Sequence, residues 1–209
     1  MARYTPGHKA ESRMRIVDAV GRGFRRSGFG GVGVDGLAKE AGVTHGAFYG
    51  HFRSKTDAFQ AAIIAGLGEL RTGIEMLRKQ AGSSWLSTFA DFYMGHKRTC
   101  DPAQSCTLPS LSPDIERADP EVRTVYEAEL VNVMRALADG LVGPSVMDRE
   151  ARAWALLSLF SGGLTLARAV PDPAISEQIA DSVRAAALTI AHGQGPFQGN
   201  LPGQSANAN

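Results

Sequence analysis

"EAGVTHGAFYGHFRSK", Glu40 to Lys55, is the stretch on which the reading of this chain turns. It holds three glycines, two histidines, three aromatics and two cations. A short apolar segment, Val34 to Ala41, leads into it, and Gly42 is placed to end that helix in the left-handed conformation. Thr44 is placed to cap the next one. Two short helices joined at "AGVT" make a helix-turn-helix pattern. On a wheel of about 100° per residue, Phe48 and Phe52 share a face, which is expected to anchor on Ile16, Val20, Phe24 and Leu37. The opposite face carries Gly46 and Gly50, flanked by Ala47 and Tyr49. A helix face without side chains loses propensity but lets the backbone approach a partner closely. A DNA major groove admits such a helix. Thr44, His45, Tyr49 and His51 carry groups that can donate to phosphates or bases. Lys55 stands at the start of the following helix, where the dipole also favours a phosphate. The plainer reading is a helical mini-core that needs no ligand.

Charge points the same way. The net charge of +1 over 209 residues hides an asymmetry: residues 1–55 carry ten Lys/Arg against four Asp/Glu, and the remainder twelve against seventeen. A basic front and an acidic back suggest that only the front meets a polyanion. The length is ample for a hydrophobic core, and 44% apolar with 21% charged residues is ordinary for a globular chain. No run of about eighteen apolar residues is present, so no membrane span is expected. "MARYTPGHKAESRMR" lacks the apolar centre of a signal peptide, and two cysteines do not make a disulfide framework. A reducing cytoplasm is the expected location.

The patterns along the chain are helical, and almost nothing reads as strand. Ile16, Val20 and Phe24 predict a first helix from about His8 to Ser27, weakened by Gly21 and Gly23 and broken by "SGFGGVG". Ser54 can cap a long helix to about Ala81, with Asp57 in its first turn. Trp85 to Arg98 reads as another, with Trp85, Phe89, Phe92 and Tyr93 on one side. Thr99 to Pro113 holds three prolines and cannot be one regular helix. Asp119-Pro120 opens a helix to about Leu141. A further helix runs from about Asp148 to Ala169, and the last carries Ile175, Ile179, Val183 and Ile190 on one face until Gly193. "GQGPFQGNLPGQSANAN" has the composition of a disordered tail.

Residues Arg15 to Phe59 resemble the DNA-binding domain of the TetR/AcrR family of transcriptional regulators. The matching features are Phe24, Gly28, Phe29, Val34, Leu37-Ala38, Ala41-Gly42-Val43, Gly46, Tyr49, His51-Phe52 and Lys55. The resemblance implies an all-α protein. An N-terminal three-helix helix-turn-helix domain (residues 1–53) would be followed by a larger helical ligand-binding and dimerisation domain (residues 54–193) and a disordered tail (residues 194–209). The implied partners are double-stranded operator DNA, a small-molecule effector and a second copy of the chain, with no membrane, cofactor or metal. The implied DNA contacts are Thr44, His45, Gly46, Ala47, Tyr49, His51 and Lys55, with Tyr49, His51 and Lys55 on phosphates and His45 and Ala47 nearer base edges. Gly33 stands just before the second helix, where the family often has Ser or Thr. This loses a hydroxyl for capping and for phosphate contact.

By the same analogy the effector pocket lies among the helices from Ser54 to Leu141. Phe89, Phe92, Tyr93, Cys106, Tyr126 and Met134 are its candidate lining, together with Trp85 and Met94, and they suggest an apolar or aromatic effector. Such a stripe is more often plain core. Trp154, Leu157, Ser158, Phe160, Gly162 and Gly163 are candidates for a dimer interface across a two-fold axis. Cys106 lies in "SCTLPSLSPDI", which looks like the segment of a branch of the family where a cysteine faces the pocket. An oxidant or electrophile sensor of the same fold, with Cys106 as its switch, is therefore an alternative. Against it stands the plain reading of Cys100 and Cys106 as small unreactive residues. A small helical enzyme is a remote third reading: no phosphate-cradling loop, HExxH or nucleophile elbow is present.

Overall fold

The computed structural model describes residues 6–193, and they are all-α, as the sequence implies. Ten α-helices follow one another: α1 (Pro6–Gly31), α2 (Val34–Glu40), α3 (His45–Tyr49), α4 (Lys55–Ala81), α5 (Trp85–Met94), α6 (His96–Thr99), α7 (Thr107–Glu116), α8 (Pro120–Ala138), α9 (Val146–Ala169) and α10 (Pro173–Ala191). The proposed tail lies outside the described residues.

α1 runs longer than its glycines suggest. It kinks at Gly28, whose φ is 72°, and continues to Gly31 instead of ending at Ser27. A Cβ on Gly23 would sit 2.9 Å from a methyl of Leu37, so the glycine lets α2 lie close against α1. Ile16, Val20, Phe24, Leu37, Phe48 and Phe52 are all buried in one cluster, as the wheel of the second short helix requires. Gly42 has a φ of 66°, the left-handed conformation that closes α2 at little cost for glycine alone.

α4 is set by its first turn. The Ser54 hydroxyl accepts from the Asp57 amide at 3.0 Å, and Asp57 accepts from the Arg53 amide at 2.8 Å. The helix then packs on α1, α5 and α8, the last of which packs also on α9. α9 and α10 pair, and Arg152, almost wholly buried, donates to the Val142 and Ala191 carbonyls and pairs with Asp148. That guanidinium fastens the start of α9 to the end of α10.

Three expectations are corrected. The helix expected over Trp85–Arg98 is divided at Gly95 into α5 and α6. Phe92 does not share the buried side of Trp85, Phe89 and Tyr93; it is 46% exposed. The proline-rich segment, residues 99–113, is, as expected, not one regular helix: it holds the end of α6, a 3-10 turn at Pro102–Gln104 and most of α7, which has Pro113 inside it. Pro109 stands in the first turn, where no intrahelical N–H is needed, and burial of Leu108, Leu111 and Ile115 offsets the bond lost at Pro113. On α10 the inward stripe is Ser176, Ala180, Val183 and Ala187, while Ile175 is 47% exposed.

Candidate functional site

The α2–α3 unit presents its outer face to solvent. Thr44, His45, Gly46, Ala47, Tyr49 and Gly33 are exposed, and His51 and Lys55 half-buried. The Thr44 hydroxyl accepts from the Ala47 amide at 3.2 Å and so starts α3. Gly33 caps α2 with its carbonyl alone, which accepts from Leu37 at 3.1 Å. His45 Nδ1 lies 2.5 Å from an Asp35 carboxylate oxygen, which sets its ring beside Tyr49, with 5.2 Å between centroids. The ammonium of Lys55 stands 4.4 Å from the centre of the Phe29 ring.

The two glycines of α3 differ. No other atom lies within 4 Å of where a Cβ on Gly46 would be, so nothing inside the described residues demands a glycine there. Gly50 is the C-terminal cap of α3, not a residue on its face, and a Cβ there would come within 3.1 Å of the Ala47 carbonyl oxygen. Sequence reasoning missed two cations of this surface. Arg13 donates to the His51 carbonyl at 3.0 Å and lies over the Phe52 ring at 5.8 Å. Arg53 is 89% exposed beside the end of α3.

A cavity of about 250 Å³ lies between α4, α5 and the segment that leads into α7. Of the eight lining residues expected, Phe89, Phe92, Tyr93 and Cys106 are on its wall. Trp85, Met94, Tyr126 and Met134 are not: Trp85 donates to the Gly140 carbonyl, Tyr126 shares a 2.8 Å hydrogen bond with Ser112, and Met94 and Met134 are core. Leu70 and Leu77 of α4 add apolar wall, and Gly66 and Gly73 leave room beside it. The polar wall comes from Arg25, Glu69, Lys97 and Thr107, none of which the aromatic stripe could have indicated. Arg25 belongs to α1; its Nε donates to the Ala103 carbonyl at 2.7 Å and a terminal nitrogen to the Thr107 hydroxyl at 3.3 Å. Burial lowers its pKa from the ordinary value, although an arginine stays protonated. Burial raises the Cys106 thiol above its ordinary value, against weaker opposing contributions from Tyr93 and Lys97. It also holds the Tyr93 hydroxyl well above the ordinary phenol range, so that side chain is a neutral donor. Among the described residues no three His, Cys, Asp or Glu side chains gather as a metal site, and no helix is long and apolar enough to cross a membrane.

The model of the tetR family of bacterial regulatory proteins matches residues 16–62, which contain most of α1, all of α2 and α3 and the start of α4. Residues 16–62 thus form a TetR-family DNA-binding domain. Over 65 residues it is 41% identical to the HTH-type transcriptional regulator SrpR of Pseudomonas putida, covering 31% of this chain and 30% of that one. Over 59 residues it is 42% identical to AcrR of Shigella flexneri, covering 28% and 27%. The chain thus matches under a third of the length of these TetR-family relatives. Beyond the helix-turn-helix the likeness is one of fold. Reduced NemR of E. coli superposes with a TM-score of 0.71 at 17% identity, over 85% of this chain and 95% of that one. The helical body behind the helix-turn-helix therefore shares its fold with NemR on a sequence of its own.

Proposed function

We propose that the chain is a dimeric, ligand-responsive transcriptional repressor, with residues 1–53 reading operator DNA and residues 54–193 holding a small effector and the dimer contact. The observation that carries this reading is the helix-turn-helix with an unobstructed outer face at Gly46, set on a body whose cavity has Arg25 of α1 in its wall. Thr44, Tyr49, His51 and Lys55, joined by Arg13 and Arg53, supply phosphate donors; His45, Gly46 and Ala47 form the part that enters the groove. Gly33 brings its backbone close without a hydroxyl. In a dimer the two α3 helices must meet half-sites about one turn of DNA apart, or a compatible multiple. An effector that binds better to a body with a different spacing shifts the population away from DNA.

For the dimer contact, Trp154, Ser158 and Gly162 lie exposed along one face of α9, with Leu166 and, on α10, Ile175 and Leu188 also exposed. Leu157, Phe160 and Gly163, offered with them by the sequence, face the chain's own core instead; a Cβ on Gly163 would meet Val183 at 2.4 Å.

Fluorescence anisotropy of the full chain against labelled duplexes from the DNA flanking its gene, at two salt concentrations, tests this function. Tight binding to one duplex that weakens steeply with salt supports it. Absence of binding to every duplex, at low salt as well, rejects it. The thiol-sensor alternative has one observation in its favour, the place of Cys106 on the cavity wall. Its burial and raised pKa disfavour the reactive thiolate. Slow alkylation of Cys106 in the native protein is the expected result; rapid modification with loss of DNA would favour the sensor.

A further inference from the structure

The cavity has an apolar side and a donor side. Leu70, Leu77 and Phe89 make the first, and Arg25, Tyr93 and Lys97 supply the second. Tyr93 is 2% exposed, and its hydroxyl has only the Cys106 thiol, a weak and poorly placed acceptor, beside it. A buried donor so weakly paired is costly, and a ligand acceptor would satisfy it. The Arg25 side chain is 9% exposed; two carboxylates face its charge, Glu69 of the cavity wall and Asp18, 3.9 Å away and 48% exposed, but its hydrogen bonds go elsewhere. Its close partners are the neutral Ala103 carbonyl and Thr107 hydroxyl. A largely buried guanidinium held mostly by neutral acceptors gains from an anion. Lys97 likewise donates to a neutral carbonyl, that of Gln104, at 2.7 Å. Glu69 is the acidic residue of the wall, on an exposed position of α4.

We propose that the effector is a small apolar carboxylate, its body against Leu70, Leu77 and Phe89 and its carboxylate received by Arg25 and the Tyr93 hydroxyl. This rests on the regulator reading above and names the ligand class of the same site. At about 250 Å³ the cavity falls just below the usual range of ligand sites, about 300 to 1,000 Å³, which restricts the ligand to a small molecule. The choice of Arg25 has a consequence for signalling. The donors that would receive the carboxylate now tie α1 to Ala103 and Thr107. Ligand and segment compete for one side chain, and that side chain belongs to the first helix of the DNA-binding domain. Occupancy therefore loosens α1 from the body directly.

Isothermal titration of the full chain with matched series tests the assignment: 4-phenylbutyrate, 4-phenylbutanamide and 4-phenylbutylamine, and octanoate, octanamide and octylamine. In at least one series the acid is expected to bind about tenfold or more tighter than its amide, the gain of a charge-assisted hydrogen bond, and the amine weakest. In Arg25→Gln the preference for acid over amide disappears. Tyr93→Phe weakens the acid several-fold without lowering the melting temperature of the free protein, because the hydroxyl it removes has only a weak thiol acceptor beside it. An amide equal to its acid in both series, an amine that binds best, or no binding by any of the six overturns the proposal. Salt-sensitive duplex binding, measured on the same preparation, separates the two failures. If it is present, only the ligand class is wrong; if it is absent, the regulator reading falls whatever the acids do.

Discussion

Lys55 illustrates how a single residue is prepared for a polyanion. Its ammonium stands over the Phe29 ring, 4.4 Å from the ring centre, so less side-chain freedom remains to be lost on contact. If it touches one phosphate, Lys55→Ala lowers the slope of log affinity against log salt by about one. Anisotropy titrations over a salt series measure this, and an unchanged slope removes Lys55 from the interface. Tyr49, 48% exposed at the end of α3, is expected to act without regard to sequence, so that Tyr49→Ala weakens cognate and random duplexes alike. His45 differs, because Asp35 already engages its Nδ1. His45→Ala should relax the preference among duplexes more than it lowers binding to random DNA.

At the scale of the element, α4 links the DNA-binding unit to the body, and its start depends on two side chains. Ser54→Ala removes the cap on the Asp57 amide and is expected to cost about 1 kcal/mol in urea unfolding. Asp57 itself has a lowered pKa, chiefly from the hydrogen bond of the Arg53 amide and despite partial burial. A depressed carboxylate contributes stability that is present above its unfolded value, about 3.9, and lost as pH falls through the lower folded value. Asp57→Asn should therefore be less stable than the parent near neutral pH, and the gap should close in acid. Urea midpoints across the acid range check the sign, and a gap that widens on acidification contradicts it. α7 reaches the same unit from the other side: Asp114 accepts the Phe29 amide at 2.8 Å just past the kink of α1.

The whole molecule poses the question of the second copy. Trp154, Ser158 and Gly162 form an exposed strip on α9, with Ile175 and Leu188 exposed on α10, which packs beside it. Sedimentation should give twice the mass of one chain. Trp154→Glu should give a single mass and weaken operator binding strongly, since one head then holds one half-site. A parent protein that sediments as a single chain removes the dimer from the reading.

The sequence by itself determined the helices that carry local signals. Ser54 and Thr44 mark helix starts through hydroxyls that reach amides three residues on, and Gly42 marks an end through a backbone conformation costly for other residues. The aromatic spacing of Phe48 and Phe52 gave the buried face of the helix-turn-helix, because a helical period is a local property. Tertiary structure decided what depends on neighbours distant in the chain. α7 forms despite Pro113 because the core accepts Leu108, Leu111 and Ile115, a gain that no window of sequence contains. Phe160 and Leu157 turn inward and Trp154 outward because α10 covers one side of α9 and not the other. Arg25 reaches the cavity wall only because α1 lies against Ala103 and Thr107, more than seventy residues away. Its place in the sequence, between Arg22 and Arg26, carries no sign of this; the packing of α1 on the body turned it in.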